Sequence, residues 1–160
     1  MRIFEGNYNT DGLKIAIVIS RFNSSITKEL LDGALDALKR HEVKDENIDV
    51  FWTPGAMEIP FTVKKIVTKS IHDAVIVLGA VIRGETYHFN VVANEVAKGI
   101  ASINLNGTVP VAFGIVTTDT IEQALNRSGV KLNKGFDAAM AAIEMANLKR
   151  QIEKIQPQQN

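Results

Sequence analysis

One turn of the chain carries residue types that could bind an anion and move a proton. It spans residues 83–88, Arg-Gly-Glu-Thr-Tyr-His, between an apolar segment and a helical pattern. Unpaired backbone N–H groups at a helix start, together with the helix dipole, favour a bound anion. His88 is the side chain type that exchanges a proton near neutral pH. The turn therefore indicates chemistry on a phosphorylated small molecule.

Composition narrows the class of protein. The 160 residues are 46% hydrophobic, which predicts one domain with its own core. Eighteen basic residues balance eighteen acidic ones, which argues against a nucleic-acid partner. Cysteine is absent and the three histidines lack metal-ligand spacing, so we expect neither a thiol nucleophile nor a metal site. Neither a signal-peptide pattern nor a membrane-length apolar run occurs, and we expect a cytoplasmic protein.

Strand and helix patterns alternate along the chain. Four apolar segments predict buried strands, at residues 14–20, 48–53, 73–82 and 111–116. Apolar residues at helical spacing predict a first helix that is capped by Ser24 or Ser25. The same spacing predicts four more helices, near residues 59–69, after 88, near 119–128 and near 134–154. This order predicts a three-layer α/β/α sandwich with a central four-stranded parallel sheet. We expect one domain over residues 1–155 and a disordered end at 156–160.

The candidate polar residues converge on one edge of the predicted sheet. They follow the strands directly, at residues 20–23, 53–58, 83–88 and 117–119. Ligands of parallel sheets bind beyond the carboxyl ends of the strands. This convergence predicts a small-molecule site more strongly than any single motif does.

Several of the charged candidates also have ordinary structural interpretations. A histidine such as His88 often only caps or packs at a helix start, although the adjacent anion-binding turn favours catalysis. Arg83 and Arg127 are each either solvated, ion-paired or able to clamp a phosphate. His41 and His72 lie near helix ends, away from the predicted site, and we expect them at the surface.

Two further candidates are equally open. Glu58 stands at the first turn of a predicted helix, where a carboxylate either complements the helix dipole or contacts a ligand. Phe22, at a strand end, either packs in the core or stacks on a planar ring. No dinucleotide, P-loop or serine-nucleophile motif is present in the sequence.

Motifs along nearly the whole chain, from about residue 2 to 149, resemble those of the lumazine synthase family. Each motif is short, but their order and spacing are specific. They are Gly6-Asn7, Arg21-Phe22-Asn23, residues 54–60, residues 79–89, residues 113–118, Asn133-Lys134-Gly135 and residues 142–147. The resemblance implies a flavodoxin-like fold and a cofactor-free step of riboflavin biosynthesis. In it, 5-amino-6-(D-ribitylamino)uracil condenses with 3,4-dihydroxy-2-butanone 4-phosphate to 6,7-dimethyl-8-ribityllumazine, with loss of phosphate and water.

The resemblance also implies roles for individual residues. His88 would move protons, and Phe22 would stack on the pyrimidine ring beside the supporting Asn23. The residues expected to hold the ribityl chain and the pyrimidine edge are Ala56, Met57, Glu58, Ala80, Val81 and Ile82. The expected phosphate cradle is Gly84, Glu85 and Thr86 with Arg127. A neighbouring subunit would supply Phe113 and Arg127, with Lys134 and Asp137 nearby.

The chain departs from the family pattern in three places, at Tyr87, at Asn90 and in the segment 127–135. Tyr87 could narrow the phosphate side, and Asn90 stands where an acid is frequent. The segment 127–135 is one residue shorter than usual, in the link that governs whether pentamers pack into a shell. The resemblance implies a homopentamer, with an icosahedral shell of twelve pentamers and a riboflavin synthase partner as further possibilities. Residues 2–5 would pair as an edge strand with a neighbour's sheet.

Two other functions compete with this interpretation. An archaeal-type riboflavin synthase would use two lumazine molecules and would need no phosphate cradle. The presence of a candidate cradle, residues 84–86 with Arg127, therefore disfavours this function. A shell or flavin-binding protein without catalysis would need neither His88 nor Arg127. Both residues therefore favour the enzyme.

Overall fold

The computed structural model describes residues 1–156, in which four parallel strands form one sheet. The strands are β1 Ile15–Ser20, β2 Ile48–Thr53, β3 Ala74–Ile82 and β4 Val111–Thr118. Their spatial order is β2-β1-β3-β4. The predicted strands are confirmed to within one or two residues, β4 being two residues longer than expected.

Five α-helices in the same part of the chain cover the two faces of the sheet. They are α1 Ser24–Arg40, α2 Ile59–Lys69, α3 His88–Asn106, α4 Ile121–Ser128 and α5 Lys134–Glu153. Short 3-10 turns occupy Asp45–Asn47 and Ala56–Glu58. Helices α1, α4 and α5 contribute to one apolar core, and α2 and α3 contribute to the other. The three-layer α/β/α arrangement is confirmed.

Position in the sheet explains which strands have continuous apolar sequences. In β1, Ile15, Ile17 and Ile19 enter the core under α1 and α5, whereas Ala16 and Val18 enter the core under α2 and α3. A strand covered on both faces has a nearly continuous apolar sequence, and in β1 only the last residue, Ser20, is polar. The outer strand β2 is different, because Phe51 and Trp52 remain 36% and 42% exposed.

The prediction that Ser24 or Ser25 caps α1 is wrong. The N-cap is Asn23, whose backbone is left-handed at φ 59°. Asparagine tolerates this conformation better than most residues. Its side-chain amide donates to the carbonyl oxygen of Ala80 at 2.9 Å, so a contact with β3 fixes the helix start.

The prediction that His72 is a surface residue is also wrong. Only 7% of His72 is exposed, and its Nε2 lies 2.8 Å from Oδ2 of Asp49 on β2. The ring of Phe51 meets the imidazole edge-on at 6.4 Å between centroids. The expectation for His41 holds only in part, because that residue is half-buried with Nδ1 2.9 Å from the carbonyl oxygen of Ala37.

The N-terminal segment has no strand conformation in the isolated chain and lies along α5. The amide nitrogen of Asn147 donates to the carbonyl oxygens of Asn7 and Asn9 at 3.0 and 2.8 Å. Gln151 donates to the carbonyl oxygen of Glu5 at 2.6 Å. Within residues 1–156, no helix combines the length and apolarity needed to cross a membrane. The predicted disordered end falls largely on residues 157–160, which lie outside the described residues.

Candidate active site

A cleft of about 470 Å³ lies beyond the carboxyl ends of β1, β2 and β3, against the start of α3. It brings together most of the residues that the sequence singled out. These are Phe22, Asn23, Ala56, Met57, Glu58, Ala80, Val81, Ile82, Gly84, Thr86 and His88. The cleft is thus where the topology of a parallel sheet places a ligand.

Backbone hydrogen bonds to the next strand place Phe22 at the rim of the cleft. The N–H of Arg21 donates to the carbonyl oxygen of Thr53 at 2.9 Å, and that of Phe22 donates to Pro54 at 3.2 Å. The contact from Asn23 to Ala80 ties the same loop to β3. With its backbone held on both sides, Phe22 keeps 71% of its surface exposed and is free to contact a ligand.

The carboxylate of Glu58 belongs to the loop that follows β2. The hydroxyl of Thr53 donates to the carbonyl oxygen of Gly55 at 2.9 Å, which fixes the turn before the Ala56–Glu58 segment. A β-carbon at Gly55 would lie 3.0 Å from Oε2 of Glu58. The absence of a side chain at residue 55 therefore lets the carboxylate fold back over the loop, beside the half-exposed Met57.

The end of β3 gives way to an open turn and then to α3. Ala80 and Val81 are buried, whereas residues 83–88 are exposed. A β-carbon at Gly84 would meet no atom within 4 Å, so space remains beside the backbone there. The N–H of His88 donates to the hydroxyl of Thr86 at 3.4 Å, which fixes the backbone at the first residue of α3. An exposed turn at a helix N-terminus, with an exposed imidazole beside it, suits an anionic group that must gain or lose a proton.

Five predicted site residues do not line this cleft. Glu85 lies in the exposed turn, and Phe113 lies on β4 with 46% of its surface exposed. Arg127 is on α4, where Nη1 donates to the carbonyl oxygen of Gln123 at 3.3 Å. Lys134 and Asp137 pair at 2.7 Å in the first turn of α5. The cleft of one chain therefore contains His88 and the predicted pyrimidine- and ribityl-binding residues except Phe113, but no arginine from α4.

Arg83 is ion-paired in the structure, which was one of the interpretations that its sequence position left open. Its Nε donates to Oδ1 of Asp119 at 2.6 Å, and Nη1 donates to Oδ1 of Asn90 at 3.1 Å. Phe89 and Val92 were not among the predicted site residues, and both border the cleft from α3. Helical spacing placed Val92 in the core, and a single aromatic beside His88 had no distinguishing pattern.

Comparison with known proteins shows the family of the chain. A statistical model of the family described as 6,7-dimethyl-8-ribityllumazine synthase matches residues 12–150. This chain belongs to the 6,7-dimethyl-8-ribityllumazine synthase family. The match begins before β1 and ends within α5, so the lumazine synthase pattern covers all four strands of the described sheet.

Several similar proteins carry that name. The protein from Kosmotoga olearia is 76% identical over 156 residues, covering 97% of this chain and 100% of the relative. That from Thermotoga neapolitana is 58% identical over 163 residues, covering 100% and 98%. That from Thermotoga petrophila is 60% identical over 153 residues, covering 95% and 93%. The resemblance to lumazine synthases drawn from the sequence motifs is confirmed.

Proposed function

We propose that this chain condenses 5-amino-6-(D-ribitylamino)uracil with 3,4-dihydroxy-2-butanone 4-phosphate to 6,7-dimethyl-8-ribityllumazine, releasing phosphate and water. The observation that carries this proposal is the 76% identity, over the full length of the relative, with a protein named for that product. The chain is an enzyme of riboflavin biosynthesis, a transferase. The cleft beyond β1, β2 and β3 is its active site.

The chemistry requires orientation and proton transfer. The 5-amino group of the uracil attacks the ketone, and water leaves to give an imine. Phosphate is then eliminated, and the ribitylamino nitrogen attacks the remaining carbonyl carbon. A second water leaves from that carbon, which closes the ring. Holding two reactants in the reacting geometry removes much of the entropic barrier. A positioned acid–base group adds about 10²- to 10⁴-fold in rate. His88 takes this role, because its ring is exposed beside the cleft while its backbone is held by Thr86.

The two substrates occupy opposite ends of the cleft. Phe22 stacks on the pyrimidine ring, and the backbone of residues 80–82 contacts the edge of that ring. Ala56, Met57 and Glu58 hold the ribityl chain, whose hydroxyls suit a carboxylate acceptor. Gly84, Glu85 and Thr86 hold the phosphate at the start of α3, where the open backbone beside Gly84 supports this assignment.

The phosphate needs a cation that the cleft of one chain does not contain. Arg127 of a neighbouring copy supplies it, with Lys134 and Asp137 near by. Phe113 of the same neighbouring copy contacts the uracil substrate. The exposure of Phe113 and the exposed apolar β2 support an assembly in which neighbouring chains cover these surfaces. The assembly is a homopentamer with sites between subunits, and residues 2–5 add a strand to a neighbour's sheet.

A larger assembly and a protein partner are further possibilities. The short link between α4 and α5 favours packing of twelve pentamers into a shell, and riboflavin synthase is the candidate partner. The cytoplasmic location also stays a prediction. Light scattering separates a pentamer from a shell, because the masses differ twelvefold.

The first experiment combines the purified protein with both substrates and follows lumazine fluorescence and phosphate release together. Equal amounts of lumazine and phosphate, above the spontaneous background, are the expected result. A folded protein that yields neither above background would contradict the function and would leave a binding or shell role. Lumazine consumption with riboflavin formation would identify the riboflavin synthase reaction instead.

Sharing of the site between chains is tested by mixing two inactive variants. Arg127→Ala should raise the KM for the phosphorylated ketone, and His88→Ala should lower kcat. If each site takes His88 from one chain and Arg127 from the next, some sites of a mixed oligomer contain neither substitution. Pentamers refolded from a mixture then regain activity that neither variant has alone. No recovery in a mixture of confirmed mixed oligomers would place both residues in one chain's site.

A further inference from the structure

The guanidinium of Arg83 joins the segment after β4 to the start of α3, which borders the cleft. Nε donates to Asp119, the residue that follows β4, and Nη1 donates to Asn90 in the first turn of α3. Its Cζ lies 4.2 Å from the ring centroid of Phe89, the residue next to His88. A planar guanidinium offers its donors in fixed directions, so these contacts together define one orientation.

Both ends of this bridge are themselves held. The backbone N–H of Arg83 donates to the carbonyl oxygen of Thr118 at 2.9 Å, which fixes the residue against β4. The N–H of Asp119 donates to Oε1 of Gln123 on α4 at 2.9 Å. On the other side, the N–H of Asn90 donates to the carbonyl oxygen of Tyr87 at 3.0 Å. The bridge therefore connects the sheet to the helical turn that begins with His88.

Arg83 does not itself border the cleft, although Ile82 and Gly84 on either side of it do. Two of its donors are engaged by Asp119 and Asn90, and one guanidinium face lies on Phe89. Its contacts are thus directed at the protein and not at a ligand. Phe89, by contrast, borders the cleft, so its position affects the shape of the site directly.

We propose that Arg83 is a positioning residue for the condensation, because it fixes the first turn of α3 and thereby the imidazole of His88 relative to the bound substrates. The proposal rests on the proposed function, in which His88 moves the protons. Asn90 is the acceptor of this bridge on α3, and Asp119 is the acceptor after β4. The side chain of Asn90 acts on His88 through the backbone of this helical turn. Its amide oxygen accepts from one N–H group of the guanidinium, and the carboxylate of Asp119 accepts from another.

Arg83→Met tests the proposal, since it keeps an unbranched apolar stem against Phe89 and removes both hydrogen bonds. Lys98→Met is the matched control. It removes an exposed ion pair of 2.9 Å with Glu95, which lies on α3 but farther from His88. A displacement of a reacting group by about 1 Å costs on the order of 10²-fold in rate. We expect Arg83→Met to lower kcat by about ten- to a hundredfold, with both KM values within about threefold. Lys98→Met should leave kcat unchanged.

The double variant with His88→Ala separates positioning of the imidazole from a general structural effect. If Arg83 acts through His88, Arg83→Met costs nothing further once the imidazole is absent. These rates are measured with enzyme in excess. An equal cost in both backgrounds overturns the proposal, as does an unchanged kcat in the single variant. A rise in the KM for the phosphorylated ketone alone would also overturn it, by making Arg83 a direct ligand.

Hydrogen exchange gives a measurement that does not depend on activity. Amides of residues 90 and 91 should exchange faster in Arg83→Met than in the parent chain, and not in Lys98→Met. Equal exchange in all three proteins overturns the anchoring role. If the parent chain makes no lumazine, the proposed function fails while this comparison still decides whether Arg83 holds α3. Should Arg83→Met not fold, Asn90→Ala removes one acceptor only and should show a several-fold loss of kcat that is absent in the His88→Ala background.

Discussion

Truncation of Phe22 is the most direct test of how the pyrimidine ring is bound. Phe22 is 71% exposed at the rim of the cleft, while its backbone is held by the contact with Pro54. The side chain therefore contributes little to the core, and most of its surface is open to a ligand. Phe22→Ala should weaken binding of the uracil substrate without destabilising the fold.

The expected size follows from the exposed area. A phenylalanine presents about 200 Å², so about 140 Å² is free here and one ring face covers about 70 Å². At about 25 cal/mol per Å², covering that face is worth about 1.8 kcal/mol. Favourable ring stacking adds about 0.5–1.5 kcal/mol. Loss of about 2.3–3.3 kcal/mol corresponds to a rise of about 50- to 260-fold in the dissociation constant of the uracil substrate.

The assay is titration calorimetry with the uracil substrate alone, accompanied by thermal unfolding of each variant. Phe61→Ala is the matched control, because Phe61 on α2 is 68% exposed and lies outside the cleft. It should leave the dissociation constant unchanged. Phe22→Tyr keeps the ring and should bind within a fewfold of the parent chain.

Two results would refute the reasoning about Phe22. A change of less than about threefold in affinity would mean that the ring does not stack on the pyrimidine, since the area term alone predicts more. A fall of several degrees in Tm for Phe22→Ala, with a matching loss of affinity in Phe22→Tyr, would mean that the side chain acts through packing. Light scattering on each variant confirms that the comparison is made on the same assembly.

Three further predictions concern the fold and the N-terminal segment. Gly135→Ala should lower the free energy of unfolding, measured in urea, by about 1–3 kcal/mol, because a β-carbon would overlap with the carbonyl oxygen of Leu30 on α1. Gly84→Ala, where the β-carbon would lie in open space, should leave the free energy of unfolding unchanged. Asn147→Ala removes a buried amide that donates to the carbonyl oxygens of Asn7 and Asn9. It should lower the free energy of unfolding by about 1–3 kcal/mol and make proteolysis of the first ten residues faster. An unchanged rate of proteolysis would contradict this anchoring. The negative charge of Glu144, with desolvation and a hydrogen bond to the same carboxylate, raises the pKa of Tyr8 above its ordinary value of 10.0. The Tyr8 hydroxyl therefore donates to Glu144 at pH values below this raised pKa, and the contact is lost when the pH rises through it. Glu144→Gln should lower the midpoint of the tyrosinate absorbance change, and an unchanged midpoint would contradict the cause.

The layers of the fold could be predicted because burial alone determined the strand sequences. β1 and β3 are covered on both faces, so every position except Ser20 is apolar or glycine and the segments are continuous. The errors arose where a distant partner decided the outcome. The cap of α1 depends on a contact of Asn23 with Ala80, 57 residues away, and the burial of His72 depends on Asp49, 23 residues away. Local preferences rank asparagine and serine equally as caps, so they could not decide between Asn23 and Ser24, and they contain no information on such contacts.

In the candidate site too, residues set by local sequence and topology could be predicted, and residues set by distant contacts could not. The residues that border the cleft follow strand ends, and topology brings strand ends together, so their convergence was visible from the order of elements. Arg83 shows where this approach stops. Its sequence position allowed solvation, ion pairing or phosphate binding, and only the geometry of Asp119, Asn90 and Phe89 selected ion pairing.

The placement of Arg127 connects the chemistry to assembly. Its guanidinium lies on α4, outside the cleft that contains His88, although elimination of phosphate requires a cation near the leaving group. A chain that binds the uracil with its own residues and takes the phosphate clamp from a neighbour would be complete only as an oligomer. Uracil binding and phosphate elimination would then respond differently to dissociation, the first persisting in single chains and the second disappearing. The same division explains why the site of one chain could be recognised from strand ends, whereas the residues on α4 and α5 entered only through the family resemblance.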